Sequence, residues 1–270
     1  MALVFQIVLY LVIFYIFCAL FMYLRQDSFI FYPTAARHAS HTYDKVVDYH
    51  LERGSVDLRG WLVNPGFARQ KLLIYYGGNA EDVFFNIEEY QGIQAATLFV
   101  AYRGYGPSSG KPGEVELFAD ALAVLDDIAR TTAAQEIYLI GRSLGTGVAC
   151  YVAAHRPVQG AILITPYDSL ENVARSHYPW LPIGQLLKHR FVSLALLPLI
   201  RCPLLVLYAG RDRVVPPERT ENLIRHMPGE KEVVFIAEAD HGTIEMYPEY
   251  WPAVLRFLNR RTSQGQEGER

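Results

Sequence analysis

The chain has 270 residues, 51% of them apolar, with 25 Lys and Arg against 28 Asp and Glu. That length suits one large α/β domain with an appendage, or two small domains, and the apolar share supports a sizeable core. The near-neutral balance, with no basic block and no acidic tail, argues against a nucleic-acid surface. The wide spacing of Cys18, Cys150 and Cys202 argues against a disulfide framework or a Cys/His metal site.

Ala2 to Leu24 carries no charge and one amide, Gln6. As a helix it extends about 34 Å, enough to cross a bilayer core. A cleavable signal peptide needs a basic start, a short apolar centre and a small-x-small end. This stretch has none of these, so residues 1–26 are expected to be an uncleaved membrane anchor. Arg25, Arg37, Lys45 and Arg53 follow the span, and this bias puts the bulk of the chain in the cytoplasm. Residues 27–42 read as a connector, with Phe29-Ile30-Phe31-Tyr32-Pro33 at the headgroup level.

From residue 43 the pattern changes. Asp44 to His50 and Val56 to Val63 alternate apolar and polar, as an antiparallel pair turned at Arg53-Gly54 does. Lys71 to Tyr76 reads as a buried strand ending in Gly77-Gly78-Asn79-Ala80, with a helix expected over 83–91. Thr97 to Tyr102 is a second buried strand. The Gly-, Pro- and Ser-rich loop 103–113 follows, then an amphipathic helix from Glu114 to Arg130. Further strands are expected at 137–140, 160–164, 203–208 and 231–236. Helices are expected at 146–154, 217–226 and 249–261. Residues 169–201 read as an irregular, apolar lid, and 263–270 as a polar tail. Strands alternating with helices imply a mostly parallel sheet covered on both faces. Ligands bind such sheets at the carboxyl ends of the strands.

The stretch IYLIGRSLGTGVAC, residues 137–150, is the centre of this plan. Strand, Gly141-Arg142-Ser143-Leu144-Gly145, then helix is the setting in which a G-x-S-x-G motif exposes a serine at a sharp turn. Asp212 and His241 also fall just after strands. A serine hydroxyl needs a base, and His241 is the candidate. The imidazole needs a carboxylate on its other nitrogen, which Asp212 or Asp168 could supply. The oxyanion of a tetrahedral intermediate needs preorganised donors. The Leu144 N–H supplies one, and the loop after the Lys71 strand, at the Asn79 N–H, is the place for the other. His155 and His226 fall on helices as surface residues. Arg142 reads as a solvated or salt-bridged position.

The stretches YYGGNAED, AYRGYGPSSGKP, IYLIGRSLGTGVA, CPLLVLYAGRDRVVPP and EADHGTIEMY resemble the α/β-hydrolase superfamily over about residues 43–258. Within it the chain is similar to membrane-anchored serine aminopeptidase-like hydrolases, a group with lysophospholipid and monoacylglycerol lipases and protein depalmitoylases. The resemblance implies an α/β-hydrolase domain at 43–262. It implies Ser143 as nucleophile, Asp212 as acid, His241 as base, and Asn79 and Leu144 as oxyanion donors. It implies no metal and no cofactor. The chain departs from the group at Gly77-Gly78, where members often have His-Gly. Ser143 stands where dehalogenases and epoxide hydrolases carry Asp.

The expected activity is therefore cleavage of acyl esters or thioesters of a small-molecule or lipid substrate. The 169–201 lid would line an acyl pocket with Tyr178, Trp180, Leu181, Leu186 and Phe191. Two other readings stand beside it. A peptidase could use the same three residues, with Glu114 and Glu116 near the substrate amine. A non-catalytic binder could retain the fold.

Overall fold

A computed structural model describes residues 1–33 and 43–260. The rest of the connector and the C-terminal tail lie outside the described residues.

The first element is α1, Ala2–Ile30, 29 residues long. It is long and apolar enough to cross a membrane, and none of its most apolar window is buried. An eight-stranded sheet follows. Its strands are β1 (Val46–Arg53), β2 (Val56–Val63), β3 (Lys71–Tyr76), β4 (Ala96–Val100), β5 (Glu136–Arg142), β6 (Gly160–Ile164), β7 (Leu204–Ala209) and β8 (Lys231–Ile236). The order across the sheet is β1-β2-β4-β3-β5-β6-β7-β8. β1 and β2 pair antiparallel, as do β2 and β4, while β4 through β8 run parallel.

The central strands are buried on both faces, so their sequences read as unbroken apolar runs. Alternate side chains still divide between two cores, because successive Cβ atoms point to opposite faces. Leu72, Ile74 and Tyr76 of β3 pack with Ile137 and Leu139 of β5 into one core. Leu73, Tyr75, Tyr138 and Ile140 pack into the other. The first core is covered by α3 (Glu114–Thr132), α4 (Leu144–His155) and α8 (Pro217–His226). The second is covered by α2 (Ile87–Tyr90) and α9 (Tyr250–Leu258). On α3, Leu117, Ala121, Val124, Leu125 and Ile128 form the buried stripe that its three- and four-residue spacing dictates. Arg53 and Arg103 both reach the buried Asp120 carboxylate at 2.6 Å, which ties β1 and the loop after β4 to α3.

Three local expectations differ from the structure. The helix expected over 83–91 is a 3-10 turn at Val83–Asn86 followed by one turn of α2. The lid is not irregular. It contains α5 (Leu170–His177), α6 (Ile183–Leu186) and α7 (Ser193–Leu196). These helices are too short for periodicity to reveal, and α5 is capped by the Ser169 hydroxyl accepting from Asn172 N–H at 3.0 Å. Finally, Phe31 is not a headgroup residue. It is buried against His189 and Phe191, with ring centroids at 5.0 and 6.4 Å. Burial under the lid outweighs any gain at an interface.

Candidate active site

Ser143 sits between β5 and α4 with φ 48° and ψ −115°. A non-glycine residue is strained there, and surrounding structure must hold it. The Ser143 N–H donates to Ile164 O of β6 at 2.9 Å, and its carbonyl accepts from Thr146 N–H at 2.9 Å. The flanking glycines permit the turn by close approach. A Cβ on Gly141 would stand 2.6 Å from Gly145 O, and one on Gly145 would stand 2.0 Å from Tyr76 O. The end of β3 and the start of α4 are therefore in backbone contact, which brings the loop after β3 beside Ser143.

The three strand-end residues meet. His241 Nε2 is 2.8 Å from Ser143 Oγ, and His241 Nδ1 is 2.7 Å from Asp212 Oδ2. Asp212 is buried, and its other oxygen accepts from the N–H groups of Val214 and Val215, both at 2.8 Å. The carboxylate is thus fixed from one side and offers one oxygen to the imidazole. The His241 loop is stiffened by Asp240, which accepts from Gly242 N–H and Thr243 Oγ1, both at 2.9 Å. These bonds, the Thr243 hydroxyl first, hold the Asp240 carboxyl below its usual range. Asp168, the other carboxylate considered, is engaged elsewhere. It accepts from Ser169 N–H, Asn172 and Asn222 at 2.7 to 3.1 Å and pairs with Arg219 at 3.4 Å.

The Leu144 N–H lies in the first turn of α4, where backbone donors have no intrahelical partner. Asn79 lies in the loop after β3 and borders the same cavity as Ser143 and Leu144. Its side chain is held rather than free. Asn79 Oδ1 accepts from Tyr32 N–H at 2.9 Å and from the Tyr105 hydroxyl at 3.0 Å. Glu81 fixes the same loop, accepting from Gly78 N–H, from Tyr75 Oη at 2.8 Å and from Asn86 at 2.6 Å. Arg142 completes this support through Glu81 at 3.5 Å and Glu245 at 3.2 Å. Burial opposes the Arg142 charge, but the groups around it, Glu81 foremost, outweigh it and raise its pKa. Arg142 is therefore a salt-bridged position. Where resembling proteins often carry His, Gly77 leaves room that Val83 fills, its Cγ1 2.6 Å from the position a Cβ would take.

The site opens into a cavity of about 460 Å³ with mostly apolar walls. Ser143 and Leu144 line it, and so do Tyr178, Leu181 and Leu186 of the lid. Trp180 and Phe191 do not. Trp180 is 55% exposed and turned to α1, its ring 6.3 Å from that of Tyr15. Phe191 is fully buried beneath the lid, edge-on to Phe118 at 5.3 Å. Its long apolar neighbourhood suited the core better than the pocket. Glu114 is also spent structurally, accepting from the N–H groups of Arg190 and Phe191 at 2.7 and 2.8 Å. Glu116 is exposed. Among the described residues no cluster of His, Cys, Asp and Glu could hold a metal ion.

Sequence reasoning missed two contributors. Glu81 stood in the YYGGNAED stretch without a role. Met22, Tyr23, Gln26, Phe29 and Ile30 of α1 form one wall of the cavity. The apolar run of α1 gives no sign that the polar end after it will pack against the lid.

A family model described as an alpha/beta hydrolase domain matches residues 109–246. An uncharacterized protein of Mycobacterium tuberculosis, Rv2307c, is 30% identical over 259 residues, covering 92% of each chain. Lysophosphatidylserine lipase ABHD12 of Rattus norvegicus is 28% identical over 179 residues, covering 58% of this chain and 45% of the lipase. The chain thus spans less than half the length of that enzyme. Among solved structures, the Pyrococcus furiosus esterase Pf2001 superposes with a TM-score of 0.67 at 19% identity, covering 84% of this chain and 95% of the esterase. That likeness shows the fold. Matched by the family model over about half its length and by a relative along nearly all of it, the chain belongs to the α/β-hydrolase family.

Proposed function

We propose that this hydrolase is a serine esterase acting on the acyl esters or thioesters of single-chain lipids. The observation that carries the reading is the hydrogen-bonded chain from Ser143 through His241 to Asp212, opening into an apolar cavity. In the reaction, Ser143 Oγ attacks the acyl carbonyl carbon while its proton passes to His241 Nε2. The developing oxyanion is met by the Leu144 and Asn79 N–H groups, with the N-terminal end of α4 favouring negative charge. Collapse breaks the bond to the leaving group, which takes the proton from His241. Water then attacks the acyl-enzyme along the same route and releases the acid. Asp212 holds the imidazole tautomer and offsets its positive charge.

The cavity size falls within the range that encloses a small ligand. Its apolar walls suit an acyl chain. Arg213 borders the cavity, exposed and without a hydrogen bond or ion pair among the described residues. A cation in that place suits an anionic head group, consistent with the lysophosphatidylserine lipase among the relatives. The peptidase reading lacks such support, because Glu114 is engaged by the lid backbone and, among the described residues, no carboxylate borders the cavity. The intact relay disfavours a non-catalytic binder.

As part of the same reading, α1 is an uncleaved anchor and the catalytic domain lies on the cytoplasmic side, as the positive charges after the span favour. Alkaline carbonate extraction and protease protection on intact vesicles test anchoring and side. Substrate class is tested by ester chain-length profiling in detergent. The proposal expects kcat/KM to rise at least about tenfold from acetyl to long acyl chains, as burial of methylenes requires. A flat profile, or faster cleavage of an aminoacyl amide than of the ester, would contradict it.

A further inference from the structure

Between Tyr178 and Pro182 the lid meets α1. The Tyr15 hydroxyl donates to Trp180 O at 3.1 Å, and the two rings meet edge to face. Tyr15 lies far below the level where α1 docks on the hydrolase domain. That docking is at Gln26, which bonds Leu186 O at 3.1 Å and Lys188 N–H at 2.7 Å, and at Asp27, 3.2 Å from His189. From Gln26 back to Tyr15 is roughly 16 Å of helix. Counted back from Arg25, the first charged residue of α1, Tyr15 lies about 15 Å along the helix, well within a hydrocarbon core of about 30 Å.

The lid tip is built for such a place. Tyr178 and Trp180 are 42% and 55% exposed. Pro179 and Pro182 have no N–H to satisfy. Tyr178 N–H bonds Ala174 O at 2.8 Å, Leu181 N–H bonds Tyr178 O at 3.1 Å, and Tyr15 satisfies the Trp180 carbonyl. Backbone in lipid must be satisfied internally, and among the described residues the tip meets this except at the Trp180 N–H and the Pro179 carbonyl. Above the tip, Arg25 and Lys188 are exposed, and the Lys188 ammonium sits 4.6 Å from the Tyr23 ring centroid, at the level of lipid headgroups. Tyr23 on α1 and Tyr178 on the tip border the catalytic cavity from its two sides.

We propose that the 178–182 tip is immersed in the lipid leaflet, and that the cavity mouth bordered by Tyr23 of α1 and Tyr178 of the tip is a lateral port through which an acyl chain enters from the bilayer. This rests on the anchor reading of α1. The partner surface is the bilayer itself, and the substrate reaches Ser143 without crossing water.

The test uses the full chain in phosphatidylcholine vesicles, with Trp61→Phe and Trp251→Phe leaving Trp180 as the only tryptophan, excited selectively over tyrosine. Chain-brominated phosphatidylcholine is expected to quench Trp180 more strongly than aqueous acrylamide does. Stronger quenching by acrylamide, in protein that carbonate does not extract, would overturn the port while leaving the anchor intact. Extraction by carbonate would overturn both. Trp180→Asp in the otherwise natural chain gives a second reading. Hydrolysis of a vesicle-embedded ester is expected to fall about tenfold, as an acidic residue resists lipid, with a soluble short ester cleaved within about twofold of wild type. An equal loss on both substrates would make the tip a structural element and overturn the proposal.

Discussion

Replacing Gly145 by Ala sets two physical effects against each other. Gly145 lies in the first turn of α4, where helix propensity alone favours Ala by up to about 1 kcal/mol. The structure predicts the opposite sign. The new Cβ would stand 2.0 Å from Tyr76 O and 2.6 Å from Gly77 O. Both are backbone atoms at the end of a central strand, and no rotamer change relieves them. Normal contact requires α4 or the loop after β3 to move by about 1 Å. Overpacking of this kind costs about 1–3 kcal/mol, which for a domain of this size lowers Tm by roughly 3–10 °C. The same displacement would shift Leu144 and Asn79, the proposed oxyanion donors, relative to each other. A 1 Å misplacement, or loss of one oxyanion donor, lowers kcat by about 10²-fold. KM should change little, since most of the apolar walls belong to the lid and α1. The assay is a thermal melt together with steady-state hydrolysis of a soluble chromogenic ester. Gly92→Ala is the control, because its Cβ would meet nothing within 4 Å. A Gly145→Ala protein as stable as wild type, with kcat within about twofold, would refute the claim that this contact sets the site.

Three other outcomes follow from the geometry. Asp212→Asn keeps an oxygen for the Val214 and Val215 N–H groups but turns an amide NH₂ toward His241, so kcat should fall about 10³–10⁴-fold with Tm nearly unchanged; less than a tenfold loss would move the acid elsewhere. Arg213→Glu should raise KM about tenfold for an anionic single-chain ester and leave a neutral ester unaffected, read from paired steady-state curves. Burial pushes the Cys150 thiol up to about 12, so it stays protonated at neutral pH, and N-ethylmaleimide should leave ester hydrolysis intact.

Much of this molecule was legible in the sequence, for identifiable reasons. The buried strands carry apolar runs bounded by Gly, Pro and Asp, and the expected edges of β2, β3, β6 and β8 match the observed ones. Gly141 and Gly145 flank Ser143 because backbone contacts leave no room for a Cβ, so the constraint is written in the chain. Residues that act across the fold were harder to find. The part played by Glu81 depends on Tyr75, Asn86 and Arg142 converging from different elements. Phe191 and Trp180 look alike in a lid that is apolar throughout. One is buried under Phe118, and the other is turned to Tyr15 by a bond spanning 165 residues. The docking of α1 on the cavity depends on Gln26 and Asp27, two polar residues at the end of an apolar helix.

The measurement that bears most directly on the proposed chemistry is labelling of the membrane fraction with a fluorophosphonate probe, comparing wild type with Ser143→Ala. A serine 2.8 Å from an imidazole that is itself 2.7 Å from a buried carboxylate should be activated, and only that serine should react. The account predicts strong labelling of wild type and none of Ser143→Ala. Equal labelling of the two proteins, or no labelling of folded wild type, would contradict it.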